Sequence, residues 1–136
     1  MLKFKFGENW LEFNKLITHK KLLQAIKSIK KYNIKIKGKN FLDVGCGSGL
    51  FSLAAYSMGC KKVLSVDVDS DSIKSTKILK NNMKKKNLNW KVKRVSLIGE
   101  NFKKECSGYD IIYCWGVAHH TGNMLKAFQN LISVCK

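Results

Sequence analysis

The sequence predicts an α/β domain built on a parallel sheet of about four strands, with a helix ahead of it. Three observations carry that expectation. Short apolar runs at residues 41–44, 63–67, 90–96 and 109–115 alternate with segments of helical periodicity, the order that right-handed crossovers turn into a layered parallel sheet. The first run opens into Gly45, Gly47 and Gly49, where the main chain can bend sharply and approach a nucleotide-like cofactor before a helix begins at Leu50. An acid, Asp67, ends the second run 22 positions after Gly45, placed to accept hydrogen bonds from a ribose diol.

Taken in order, the first dozen residues carry Phe4, Phe6, Trp10 and, just beyond, Phe13, too aromatic for a disordered tail. They are expected to lie against the domain or over a ligand. Residues 12–32 place Leu16, Leu23, Ile26 and Ile29 on one face and lysines on the other, an amphipathic helix. After the glycine bend, residues 50–58 read as a helix whose first amides face the cofactor, with Gly59 as its stop. Ser70 or Asp69 caps the next helix, which runs to about Lys86 and buries Ile73, Thr76, Leu79 and Met83. Asn87 and Asn89 make a turn. Residues 90–96 alternate as an edge strand does, residues 109–115 form a further strand, and a last helix begins near Thr121 or Gly122 with Met124, Phe128, Leu131 and Cys135 inward.

With 136 residues the chain is read as one domain, residues 1–37 forming an aromatic segment and helix and residues 38–136 the α/β core. The net charge of +17 invites a nucleic-acid reading, but Arg94 is the only arginine and the lysines run from Lys3 to Lys136. Phosphate and base readers favour arginine forks, so a lysine-only excess, with abundant Asn and Ile and no proline, reads as AT-rich codon usage spread over solvated surfaces. A nucleic-acid partner is therefore disfavoured. The cysteines Cys46, Cys60, Cys106, Cys114 and Cys135 show neither a C-x-x-C pair nor a zinc spacing, so reduced thiols and no metal site are expected. No apolar signal core or bilayer-length run is present, which makes a cytoplasmic location the default and a membrane partner unexpected. Lys84, Lys85 and Lys86 read as the charged end of a helix.

In a parallel α/β sheet the ligand lies beyond the carboxyl ends of the strands, so the four strand exits are the places to examine. The glycines fall at every second position, unlike the G-x-G-x-x-G of dinucleotide folds, and Asp43 precedes the first by two. That D-x-G-x-G-x-G pattern resembles the first motif of class I S-adenosylmethionine-dependent methyltransferases. The resemblance implies a Rossmann-like fold and S-adenosylmethionine as cofactor, with the run Gly45, Cys46, Gly47 to Gly49 against its methionine and ribose parts. Asp43 then either holds the methionine amino group or braces the loop. Asp67 binds the ribose and Val68 packs on adenine. At the third exit, Ser96 can bond the exocyclic amine and Leu97 give a main-chain contact, although the acid that many members carry there is absent and a structural turn is the competing reading.

The fourth exit, Cys114-Trp115-Gly116-Val117-Ala118-His119-His120-Thr121-Gly122, lacks the Asn/Asp-Pro-Pro-aromatic motif of methyltransferases that act on base amines or protein glutamine. It is similar to a Trp-Gly-x-x-His-His-Thr-Gly segment of bacterial small-molecule methyltransferase-like proteins, whose Phe-Gly-x-Asn-Trp stretch resembles residues 6–10. The expected acceptor is accordingly a small molecule methylated at oxygen or carbon, with Trp115 beside the cofactor and the N-terminal aromatic segment as a lid. His119 or His120 is the candidate base where the acceptor must lose a proton, against the alternative that one packs under the loop and the other is solvated. About three further strands would follow in such a fold. Their lack predicts an exposed apolar edge at residues 111–113, closed by a partner chain or a dimer, and leaves a non-catalytic or partner-dependent cofactor-binding fragment as the alternative function.

Overall fold

The computed structural model describes residues 18–83 and 88–136; the N-terminal aromatic segment, Leu16 and the lysine cluster at 84–86 lie outside the described residues. The elements run α1 (His19–Lys30), β1 (Asn40–Val44), α2 (Leu50–Ser57), β2 (Lys62–Asp67), α3 (Ser70–Asn81), β3 (Trp90–Arg94), α4 (Phe102–Cys106), β4 (Ile111–Cys114), a 3-10 turn (Ala118–His120) and α5 (Met124–Val134). The four strands make one sheet in the order β3-β2-β1-β4, every pair parallel. The α/β expectation holds, and the Rossmann-like order places β1 and β2 at the centre. Both central strands are buried on either face and largely apolar, as a sheet covered by helices on both sides requires. Phe41, Leu42, Val63, Leu64 and Val66 are each at most 1 % exposed.

Two cores flank the sheet. On one side Ala25 and Ile29 of α1 and Leu53 to Ala55 of α2 meet Phe41, Val63 and Trp90. On the other, Phe102 and Cys106 of α4 and Ala127 and Val134 of α5 meet Leu42, Val44, Leu64 and Val66. Helix α4 was not anticipated; at five residues it is too short for a periodic signal.

Two helix registers differ from the sequence expectation. In α1 the packed stripe is Leu22, Ala25, Ile26 and Ile29, while Leu23 is 51 % exposed. In α5 the inward stripe is Ala127, Leu131 and Val134, and Met124 and Phe128 are about half exposed. Cys135 lies beyond the helix as its exposed C-cap. The reason is the same in both: small Ala25 or Ala127 lets the helix axis approach the sheet, and in α5 the apolar arc opposite Lys126, Gln129, Asn130 and Ser133 is wider than the sheet covers, so hydrophobicity alone does not fix the rotation. Asp69, not Ser70, caps α3 by accepting from the Ser72 amide, and Asn123 caps α5 by accepting from Lys126. No described helix is long and apolar enough to cross a membrane.

Candidate functional site

Because Val44 and Val66 are paired in the sheet, β1 and β2 end side by side. The glycine bend leaves β1 already fastened to its neighbour: the amides of Gly45 and Cys46 both donate to the Val66 carbonyl, at 2.8 and 3.0 Å. The bend then closes as the Gly49 amide donates to the Cys46 carbonyl at 2.8 Å. Gly45, Gly47 and Gly49 have φ of 74°, 54° and 84°, a left-handed run that side chains with a β-carbon resist. Asp67 meets the bend from β2. Its Oδ2 accepts from the Gly47 amide at 3.1 Å and its Oδ1 from the Asp69 amide at 2.9 Å. Burial pushes the Asp67 carboxyl above its ordinary range, with the Asp69 and Gly47 amides acting in the opposite direction. Val68 beside it is 59 % exposed, an apolar surface next to a carboxylate.

Beneath the bend, Asp43 is 2 % exposed. A directed chain of hydrogen bonds ends on it: Trp90 Nε1 donates to Ser65 Oγ at 2.8 Å, and Ser52 Oγ donates to Asp43 Oδ2 at 2.6 Å. Ser65 and Ser52 lie 2.6 Å apart, and since the Ser52 proton is already given to Asp43, Ser65 is the donor between them. Burial, opposed by the Ser52 hydrogen bond and reinforced by the Asp67 charge, pushes Asp43 up to about 7. Asp43 thereby ties β1 to α2 beneath the bend.

Thr76 of α3 locks the other side of the bend. Its Oγ1 donates to the Gly47 carbonyl at 2.9 Å and lies 3.4 Å from the Cys46 sulfur. Cys46 thus turns its side chain inward, where burial raises the thiol well above its ordinary range, and offers a ligand only main chain. The first and third glycines serve packing: a β-carbon on Gly45 would collide with Val117, and one on Gly49 would come within 2.9 Å of Thr76 Cγ2.

The fourth exit joins this centre through Val117. Its carbonyl accepts from the His120 amide at 2.9 Å, and the 3-10 turn carries both histidines to the surface with ring centroids 3.9 Å apart. Trp115, 69 % exposed, precedes them. The third exit behaves as a turn. Leu97 buries its side chain in the core and gives its carbonyl to Asn130 Nδ2 at 2.7 Å, and the Ser96 carbonyl accepts from the Gly99 amide. The sequence expectation missed Ser52, Ser65, Trp90 and Thr76 as parts of the site. Two serines at otherwise apolar positions of α2 and β2 were the available signal.

Residues 18–133 match the family model of ribosomal protein L11 methyltransferase (PrmA). The chain belongs to the ribosomal protein L11 methyltransferase family. A ribosomal protein L11 methyltransferase of Staphylococcus saprophyticus is 28 % identical over 115 residues, which cover 85 % of this chain and 35 % of that protein. One from Thermotoga neapolitana is 35 % identical over 82 residues, 60 % of this chain and 29 % of that protein. The chain therefore spans about a third of the length of the curated relatives it matches. Among solved structures, magnesium protoporphyrin IX methyltransferase from Synechocystis, with bound SAH, superimposes with a TM-score of 0.68 at 18 % identity, over 83 % of this chain and 51 % of that one. At that identity the likeness to the family fold is one of architecture.

Proposed function

We propose that the chain is the cofactor-binding part of an S-adenosylmethionine-dependent methyltransferase. The observation that carries this reading is the 3.1 Å hydrogen bond from the Gly47 amide to Asp67, which joins a left-handed main-chain bend to a carboxylate at two adjacent strand exits. The residues present fit the cofactor. Asp67 uses each oxygen on one amide and retains acceptor capacity for a ribose diol. Val68 offers its exposed side chain to adenine, and the main chain of Gly45 to Gly47 lines the approach. When bound, S-adenosylmethionine supplies a methyl group on a sulfonium, a donor reactive enough for positioning to provide much of the rate.

The family to which the chain belongs supports a protein acceptor, ribosomal protein L11, over the small acceptor expected from the Trp115-to-Gly122 segment. We assign removal of a proton from the acceptor to the exposed pair His119 and His120, a reading supported by the hydrogen bond that holds their turn to Val117, the residue packed against Gly45. Titration calorimetry with S-adenosylmethionine tests the binding step: Asp67→Ala should weaken affinity by about tenfold or more, as loss of hydrogen bonds to a charged acceptor does. Unchanged affinity refutes the assignment. Transfer from tritiated S-adenosylmethionine to purified L11, compared with the dialysable fraction of a cell extract, separates the two acceptors, and binding without transfer to either would make the chain a cofactor-binding module.

A further inference from the structure

The open edge of β3 carries features the cofactor site does not use. Among the described residues β3 pairs with β2 alone. Their ladder opens with the Val63 amide donating to the Asn89 carbonyl at 2.9 Å and closes with the Val95 amide donating to the Asp67 carbonyl at 3.0 Å. A parallel strand turns alternate residues to opposite sides, so the odd-numbered residues of β3 serve β2. The N–H and C=O groups of Val92 and Arg94 consequently point away from the sheet, where an added strand would meet them.

A groove of about 580 Å³ runs along this edge, between Lys77 of α3, Val92 and Arg94 of β3, and Glu100 and Glu105 around α4. Its acids are partly spoken for, since Glu105 pairs with Lys93 at 2.7 Å. Arg94 is held at the edge as its Nε donates to the Val68 carbonyl at 2.8 Å. Lys77 and Arg94 thus present positive charge to the groove. Lysines on an edge deter like strands, and a chain of net charge +17 repels its own copy, but the same charges attract an acidic strand.

We propose that the open edge of β3 takes up an extended acidic peptide segment by strand addition, its main chain pairing with Val92 and Arg94 and its carboxylates meeting Lys77 and Arg94. Main-chain bonds would supply affinity and the flanking side chains selectivity, the usual division in strand addition.

The test uses two fluorescein-labelled hexapeptides of equal charge, acetylated Glu-Val-Glu-Val-Glu-Val and Glu-Pro-Glu-Pro-Glu-Pro, titrated with the full chain and followed by anisotropy. Proline cannot donate to a ladder, so the second peptide reports charge attraction alone. The proposal expects the first to bind about tenfold more tightly or better, a difference of about 1.4 kcal/mol. Lys77→Glu and Val92→Pro should each weaken it several-fold; Val92→Pro removes one outward amide and leaves the β2 ladder whole. Circular dichroism checks that each variant is folded, and Lys77→Glu suffices where Val92→Pro is not. Equal binding of the two peptides, binding indifferent to Lys77→Glu, or no binding of the first peptide would overturn the proposal.

Discussion

Gly45 and Val117 claim the same space: the position of a Gly45 β-carbon is taken by the γ-methyl groups of Val117, whose own β-carbon lies 3.1 Å away. The first glycine of the bend thus lets the segment after β4 close over the end of β1. This contact ties residues 72 positions apart and fixes where the histidine turn stands relative to the bend. Gly45→Ala is expected to destabilise the fold by about 2–4 kcal/mol, combining a left-handed φ with overpacking. Val117→Ala in the same chain should restore part of that loss, leaving the backbone strain. Urea unfolding of the single and double variants measures both, and purely additive losses would exclude the contact as the cause.

Asp43 makes stability depend on pH in a definite direction. Its folded pKa of about 7 lies above the ordinary 3.8, so between those values the native state holds a proton that the unfolded chain has released. Stability contributed by this group is greatest below about pH 4, falls as pH rises towards 7, and is flat beyond. The span amounts to a few kcal/mol at most, at ~1.4 kcal/mol for each tenfold change in proton affinity. Asp43→Asn should flatten the difference between unfolding curves taken at about pH 5 and about pH 8, which lie on opposite sides of the folded pKa. An undiminished difference would place its origin elsewhere.

Thr76 gives the most selective probe of the bend. Thr76→Val keeps the shape of a side chain that is fully buried, but removes the hydroxyl that donates to the Gly47 carbonyl at 2.9 Å. A loss of about 1–3 kcal/mol is expected, because a buried carbonyl is left without its partner. Affinity for S-adenosylmethionine should fall along with stability if the bend is the binding element. A stability loss with intact affinity would separate the two.

The rotation of α5 is tested by a pair of substitutions. Ala127 is fully buried against the sheet-side core, so Ala127→Leu should cost about 1–3 kcal/mol by overpacking. Ile132 is 72 % exposed, and Ile132→Gln should change stability by no more than about 0.5 kcal/mol. Thermal unfolding of the two variants gives the answer, and the reverse ranking would restore the Met124 and Phe128 stripe to the interior.

Much of this was legible in the sequence because the signals were local. The apolar strand runs, the spaced glycines and the acid closing β2 each depend on neighbours a few residues away, and all stand where those patterns put them. The rotation of α5 was not legible, since Met124, Leu125, Phe128 and Ile132 form an apolar stripe as convincing as Ala127, Leu131 and Val134. Only the sheet decides between them. The relay from Trp90 through Ser65 and Ser52 to Asp43 joins three strands and a helix, and no spacing in the chain announces it. The histidine turn was read correctly as following β4, but its attachment through Val117 to Gly45 is a tertiary fact.

The inward sulfur of Cys46 has a practical consequence. It sits under the bend, protonated and shielded, whereas Cys135 lies open at the C-terminal end of α5 and Cys114 is half covered. Alkylating reagents attack thiolates that they can reach, so their reaction with Cys46 would clock each opening of the glycine bend, and slowing of that clock on addition of a ligand would betray a guest without any label attached to it.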